Sequence, residues 1–201
     1  MIDAVITEDS DLLAYGVDKV MVKMDLSGEG KAIDLANLNT CPDFMMQGKE
    51  FTKEMLLQAC IVSGCDYHQG VPGVGFKTAL QYVKKHRGDV LSMCEDFAGR
   101  GKLQNSQEYY KNGYMPAFLT FKHQIVFDPA QRCERYLFEP TPDVKKQLGF
   151  LGKLKPDHIA IQIAEGKMNP NTLEDYEYSL NRFTLETDQN KSKLKSIIIS
   201  N

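Results

Sequence analysis

The chain has 201 residues, 42% of them hydrophobic, and a formal net charge of −3 at pH 7. This length and apolar content predict one domain with a core, with or without a tail, and the weak negative charge excludes a general electrostatic attraction to nucleic acid, so any such surface must be local. The five cysteines include no CxxC pair and no zinc spacing with His, and an odd count without a framework favours a reducing compartment. No apolar run is long enough to cross a bilayer, so no membrane is expected as a partner.

The first fifty residues predict strands more than helices. Residues 2–7 (IDAVIT) are rich in β-branched side chains and predict a short buried strand. Residues 10–16 predict about two turns of helix, which Gly16 ends. Residues 19–35 alternate around a DLSGEG turn and predict a hairpin. A lone strand and a hairpin make a poor sheet with exposed edges, so we expect only the last part of an α/β domain here.

From residue 51 the pattern is mainly helical, and from residue 169 it is polar. Thr52 is a plausible N-cap for the first helix, and Gly113 and Pro116 should kink a later one. The predicted helices cover residues 53–64, 76–86, 90–98, 106–127, 142–151 and 155–166. The predicted division is therefore a partial sheet core (1–50), a helical region (51–168) and a polar tail (169–201), which we expect to be disordered.

A glycine-rich loop precedes the helix over 76–86. Gly73-Val74-Gly75 leads into a helix start, where free backbone N–H groups can point at an anion and no Cβ keeps a phosphate away. Val74 would anchor the loop in the core. The commoner reading of a lone GxG is a tight turn before an ordinary helix whose lysines are solvated. If the loop does bind a nucleic-acid backbone, the predicted binding residues are Gly73, Gly75, Lys77, Lys84 and Lys85.

Acidic residues follow the first strand. Asp9 and Asp11 are two positions apart, which places both carboxylates on one side at the end of a strand. Two such carboxylates suit a hard divalent cation such as Mg²⁺, whereas Glu8 should point the other way. The alternative is a helix cap made by Asp9 or Ser10. Asp66, just before the glycine-rich loop, could complete a metal site or could form an Asx-turn.

Taken together, these stretches resemble the flap endonuclease (XPG-like) family of structure-specific 5′-nucleases. The segment ITEDSDLLAYG is similar to an acidic block of that family, and SGCDY followed by GVPGVGFKTA is similar to its helix-two-turn-helix motif, here at about residues 63–87. The resemblance runs from about residue 2 to about residue 172. It implies a remnant of a parallel-sheet, PIN-like nuclease core followed by a mostly helical region.

The same resemblance implies a chemistry and its site residues. Asp9, Asp11 and Asp66 match metal ligands of a nuclease that uses two Mg²⁺ ions to cleave DNA phosphodiesters. Around residues 70–75 it implies a K⁺ ion, with Ser63, Gly70 and Val74 as expected oxygen ligands. His68 and Gln69 stand where the family more usually has small or apolar residues.

The function implied is a 5′-to-3′ DNA exonuclease or 5′-flap endonuclease of nuclear DNA repair, which acts on duplexes with a 5′ end, flap or nick. Mismatch-repair proteins are implied as partners, through a tail that we expect to be missing here. Further N-terminal acids are also expected to be missing, so the chain should be inactive alone. Two alternatives remain open, namely a non-catalytic module that binds the duplex backbone and a globular domain with no nucleic-acid role.

Overall fold

The N-terminal region is a small mixed sheet. The computed structural model describes residues 3–176. Strand β1 (Val5–Ile6) pairs in parallel with β2 (Lys19–Val22), which pairs antiparallel with β3 (Lys31–Asp34). The crossover from β1 to β2 carries helix α1 (Asp11–Ala14), which is shorter than the two turns predicted. The predicted strand, hairpin and mixed α/β class are confirmed, and a PIN-like parallel core stays a prediction.

Three helices form the centre of the fold. Helix α2 (Lys53–Ser63) begins as predicted at Thr52, whose Oγ1 accepts the Met55 N–H at 3.1 Å. Helices α3 (Phe76–Lys85) and α4 (Val90–Gly99) also match the predicted ranges. Most of α2 is buried, because α1, α3 and a later helix pack around it. The largest core side chains with under 2% exposure in this region are Phe51, Ile61, Val62, Val83, Met93 and Phe97.

The next helical stretch is interrupted as predicted. It consists of α5 (Ser106–Glu108), a π-helical segment (Tyr109–Tyr114) and α6 (Met115–His123). Pro116 has no N–H to donate to the carbonyl four residues earlier, which favours a change of helix type just before it.

A second hairpin follows and corrects the sequence prediction. Residues 125–127, predicted as the end of a helix, belong to strand β4 (Ile125–Asp128), which pairs with β5 (Cys133–Tyr136). The β-branched and aromatic side chains of this segment favour a strand once a partner strand is available. The partner could not be inferred from helical spacing alone.

Contacts divide the chain into two compact units. The first takes in the described residues up to Val126 together with Arg135–Lys153, and contains helix α7 (Pro142–Lys145) and a 3₁₀ turn (Leu148–Leu151). The first unit thus mixes residues of the predicted sheet core and helical region, and the division at residue 50 stays a prediction. None of the helices within residues 3–176 is both long and apolar enough to cross a membrane.

The second unit comprises Phe127–Glu134 and the described residues from Leu154. It contains helix α8 (Asp157–Ala164) and an ion pair of 2.7 Å between Arg132 and Glu165. Residues 169–176 of the predicted polar tail form a hydrogen-bonded turn, closed by a bridge between Met168 and Asp175. The rest of that predicted tail lies outside the described residues.

Candidate functional site

The first two predicted acids lie at the start of α1. An Asp9 carboxylate oxygen accepts the Asp11 N–H at 2.9 Å, and the Asp9 N–H donates to Thr7 Oγ1 at 3.0 Å. Asp9 therefore forms an Asx-type bond to the first helical residue, whereas the N-cap residue itself is Ser10, whose side chain makes no cap bond. This bond uses one carboxylate oxygen, so the other keeps its capacity as a ligand. Glu8 is engaged elsewhere, where its carboxylate accepts the Lys23 N–H at 2.6 Å.

Asp11 is the electrostatic centre of the acidic group. Burial, and then the negative charges of Asp66 and Asp9, raise the pKa of Asp11 above its ordinary value. The fold therefore brings the third predicted acid near the first two, although α2 separates them in sequence. Within residues 3–176, however, no group of three or more His, Cys, Asp or Glu side chains is arranged to hold a metal ion. The three carboxylates can repel one another without being close enough to share a metal ion, because charge repulsion acts over longer distances than ligation. The metal-binding roles of these acids stay predictions.

Two tyrosines that sequence reasoning missed stand beside these acids. The hydroxyl groups of Tyr15 and Tyr67 are 2.5 Å apart, and both rings pack on Phe121, with centroid distances of 4.8 and 5.1 Å. Burial, this hydrogen bond and the nearby charges of Asp11 and Asp66 raise the pKa of Tyr15 well above its usual range. Both tyrosines lie next to acidic motifs in the sequence, but only the tertiary structure pairs them.

The turn that carries Asp66 is tightly closed. Cys65 and His68 exchange backbone hydrogen bonds of 2.8 and 3.1 Å, so Asp66 stands at the tip. Gly70 follows with φ of +76°, and a Cβ on it would lie 2.7 Å from the carbonyl carbon of Ser63. Burial lowers the pKa of His68, which keeps its ring neutral near pH 7. The fold thus brings together Ser63 and Gly70, two of the three predicted K⁺ ligands.

The glycine-rich loop has the geometry predicted for it. Val74 is 4% exposed and anchors the loop in the core, and Gly73 has φ of +68°. Gly75 is the N-cap of α3 and offers the helix no side-chain cap, so hydration or an anion must satisfy the first N–H groups. Lys102 Nζ lies only 3.6 Å from where a Cβ on Gly73 would be. Sequence reasoning missed Lys102, because it reaches the loop from beyond α4.

The three predicted lysines differ in their surroundings. Lys77 has no hydrogen-bond or ion-pair partner among the described residues. Lys84 donates to the Asp43 carbonyl oxygen at 2.9 Å, and Lys85 pairs with Asp96 at 2.5 Å. Both would have to release these contacts in order to hold a phosphate, so Lys77 is the lysine of this set best placed for a ligand.

Asp96 gathers several cations at the end of α3. Besides Lys85, its carboxylate binds His86 Nε2 at 2.9 Å and Arg100 Nε at 2.8 Å. Hydrogen bonds from Lys85, Arg100 and His86, in that order, hold the pKa of Asp96 well below its ordinary value. This cluster is a structural link between α3 and α4 that helical spacing did not reveal.

Comparison with known proteins gives matches over most of the chain. Residues 1–66 match the XPG I-region family. The chain is 37% identical over 180 residues to exonuclease 1 of Xenopus laevis (87% of this chain, 24% of the relative) and 34% identical over 177 residues to exonuclease 1 of Oryza sativa subsp. japonica (88% and 21%). It therefore spans about a quarter or less of these relatives. The resemblance inferred from the sequence is confirmed.

Solved structures give a weaker likeness. The eukaryotic junction-resolving enzyme GEN-1 binding with potassium is 22% identical, with a TM-score of 0.48 over 65% of this chain and 37% of that one. Flap endonuclease-1 from Methanococcus jannaschii is 22% identical, with a TM-score of 0.43 over 81% of this chain and 44% of that one.

Proposed function

On the premise that the chain carries an XPG I-region and is similar to exonuclease 1 over most of its length, we propose that it is part of a structure-specific DNA nuclease. The proposed reaction is 5′-to-3′ exonuclease or 5′-flap endonuclease cleavage of DNA. The observation that carries the proposal is a cleft of about 510 Å³ lined by both Asp66 and Gly70. The Asp66 carboxylate and the turn that leads into the glycine-rich loop thus share one surface.

Asp66, which lines this cleft, is proposed to contribute to a Mg²⁺ site together with Asp9 and Asp11, whose charges lie near it. Carboxylate oxygens such as those of Asp9, Asp11 and Asp66 suit this ion. The negative charges of Asp66 and Asp9 repel that of Asp11, and a bound cation would offset this repulsion. The described residues do not by themselves complete such a site, so no hydrolytic step is assigned to them. Bound Mg²⁺ would supply an activated water and stabilise the charge on the phosphate and the leaving oxygen.

The glycine-rich loop, which follows Pro72 of the cleft lining, is proposed to hold the duplex backbone. The uncapped N–H groups at Gly75 and the free amino group of Lys77 suit a phosphate, and Lys102 brings a second positive charge to Gly73. A K⁺ ion is proposed to bind nearby through oxygen atoms of Ser63, Gly70 and Val74, a set supported by the close packing of the first two. All of these contacts are independent of base sequence.

The cellular setting is proposed from the relatives alone. A nuclease similar to exonuclease 1 is proposed to act in nuclear DNA repair, with mismatch-repair proteins as partners of the whole protein.

A second candidate function is a non-catalytic module that binds the duplex backbone. Two observations favour it. The glycine-rich loop has the backbone geometry that a phosphate contact needs, whereas the acids among residues 3–176 are not arranged to hold a metal ion. For the isolated chain we expect this behaviour, namely binding of DNA without hydrolysis.

The test measures binding and cleavage of a 5′-flap duplex by the isolated chain. Binding is followed by fluorescence anisotropy without divalent cations at several salt concentrations, and cleavage is followed with Mg²⁺. Lys77→Ala or Lys102→Ala should reduce the slope of log affinity against log salt by about 0.9 each, the value for one phosphate contact. The matched control is Lys153→Ala, which removes an exposed lysine that is part of neither the cleft lining nor the glycine-rich loop and should leave the slope unchanged.

Two results would contradict this reasoning. If all three variants keep the wild-type slope of log affinity against log salt, the glycine-rich loop is not part of the DNA-binding surface. Mg²⁺-dependent cleavage by the isolated chain, abolished by Asp11→Asn, would show that the acids present suffice and would exclude the non-catalytic module.

A further inference from the structure

The His68 ring is bonded to the glycine-rich loop. Its Nδ1 accepts the Gly70 N–H at 2.7 Å, so the hydrogen of the neutral ring is on Nε2. An acceptor that bonds the N–H two residues later is the arrangement of an Asx-turn, made here by an imidazole. This bond fixes Gly70, whose backbone is already packed against Val62–Gly64.

The opposite edge of the same ring fills a notch in the π-helical segment. A Cβ on Gly113 would lie 2.2 Å from His68 Nε2 and 2.8 Å from its Cδ2, so ring and side chain cannot both occupy this space. The Tyr109 ring meets the imidazole edge-on, with centroids 4.9 Å apart and planes at 81°. His68 therefore interlocks with two residues of one π-helical turn while it bonds Gly70.

The π-helical turn makes this interlock possible. A π-turn widens the helix locally and changes the register of the residues that follow, and such turns frequently occur at functional sites. Gly113 leaves a gap in the face that the ring enters, and Pro116 favours the irregular turn at that place. The notch and the imidazole thus match each other in both position and shape.

We propose that His68 is a positioning residue for the nucleic-acid loop. Held between Gly113 and Gly70, it fixes the start of the loop in the conformation that presents the backbone of residues 70–75 to a phosphate or a monovalent cation. This inference rests on the proposed function for its effect on DNA. The interlock itself can be measured without DNA.

Two variants separate the hydrogen bond to Gly70 from the packing of the ring against Gly113. His68→Phe keeps a ring in the notch but loses the acceptor for Gly70. His68→Asn restores an acceptor for the N–H two residues later but leaves the notch empty. If the hydrogen bond positions the loop, His68→Phe should reduce duplex affinity about tenfold, because the Gly70 N–H loses its acceptor, and His68→Asn should retain most of the affinity.

A third variant tests the notch. Gly113→Ala should displace the ring and weaken duplex binding in the wild-type background. In the His68→Asn background the space is free, so the same alanine should change affinity less than about twofold. This double-mutant cycle has an outcome that a general loss of stability would not produce.

The deciding experiment is amide hydrogen exchange at Gly70 in the full chain, measured together with duplex affinity. We expect Gly70 protection to fall at least tenfold in His68→Phe and in Gly113→Ala, and to persist in His68→Asn. The matched control is His158→Phe, an exposed histidine of α8, which should change neither quantity. A Gly70 protection that is equal in wild type and His68→Phe would overturn the inference, even if DNA binding is confirmed. Failure of the wild-type chain to bind DNA, with the exchange pattern as expected, would instead overturn the proposed function.

Discussion

Replacement of Gly70 by alanine gives a test of the loop geometry that needs no ligand. At φ of +76° an L-residue pays about 1–2 kcal/mol. Its new Cβ would also lie 2.5 Å from the Gly64 nitrogen and 2.7 Å from both Ser63 C and Val62 O. These neighbours are backbone atoms that cannot rotate away, and overpacking of this kind costs about 1–3 kcal/mol. We therefore expect Gly70→Ala to reduce the free energy of unfolding by about 2–5 kcal/mol.

Two other glycines serve as matched controls. Gly73 shares the positive φ, at +68°, but a Cβ there would meet only the Lys102 amino group at 3.6 Å, so Gly73→Ala should cost only the backbone term of about 1–2 kcal/mol. Gly99 ends α4 and no described atom would meet its Cβ within 4 Å, so Gly99→Ala should stabilise the chain by up to about 1 kcal/mol.

The assay is urea unfolding followed by far-ultraviolet circular dichroism, since the chain has no tryptophan to report by fluorescence. The expected order of stability is Gly99→Ala, wild type, Gly73→Ala, Gly70→Ala. If Gly70→Ala were no less stable than Gly73→Ala, the close packing of the loop on the end of α2 would be refuted.

Two further predictions concern the charged clusters. Asp11→Asn should raise the melting temperature in the absence of divalent cations, because it removes a partly buried carboxylate that Asp66 and Asp9 repel. The expected gain in the free energy of unfolding is up to about 1 kcal/mol. A lower melting temperature for this variant would contradict the repulsion. Asp96 has a folded-state pKa below its ordinary value of 3.8, so the stabilisation it gives is complete above that pH and is lost as the pH falls below it. Melting temperatures measured between neutral pH and about pH 3 should therefore fall more in wild type than in Asp96→Asn, and parallel curves would refute the role of this cluster.

Features set by local chemistry could be predicted from the sequence. The Thr52 cap, the hairpin of β2 and β3, and the amphipathic helix α3 each depend on side chains within a few residues of one another. The buried Val74 between two glycines is of the same kind, since burial of its side chain is favourable and the flanking glycines let the backbone turn it inward. Sequence resemblance added the family, which local patterns alone did not supply.

Partners distant in the sequence were decided by the tertiary structure alone. The residues of β4 follow a helical spacing in the sequence but form a strand because β5 pairs with them. Lys102 reaches Gly73 only because α4 packs beside α3. For the acids, sequence spacing placed Asp9 beside Asp11, whereas the fold placed Asp66 near both and set the repulsion at Asp11. The physical reason is the same throughout: periodicity and capping act between near neighbours, whereas charge, packing and notch-filling depend on distances that only the folded chain fixes.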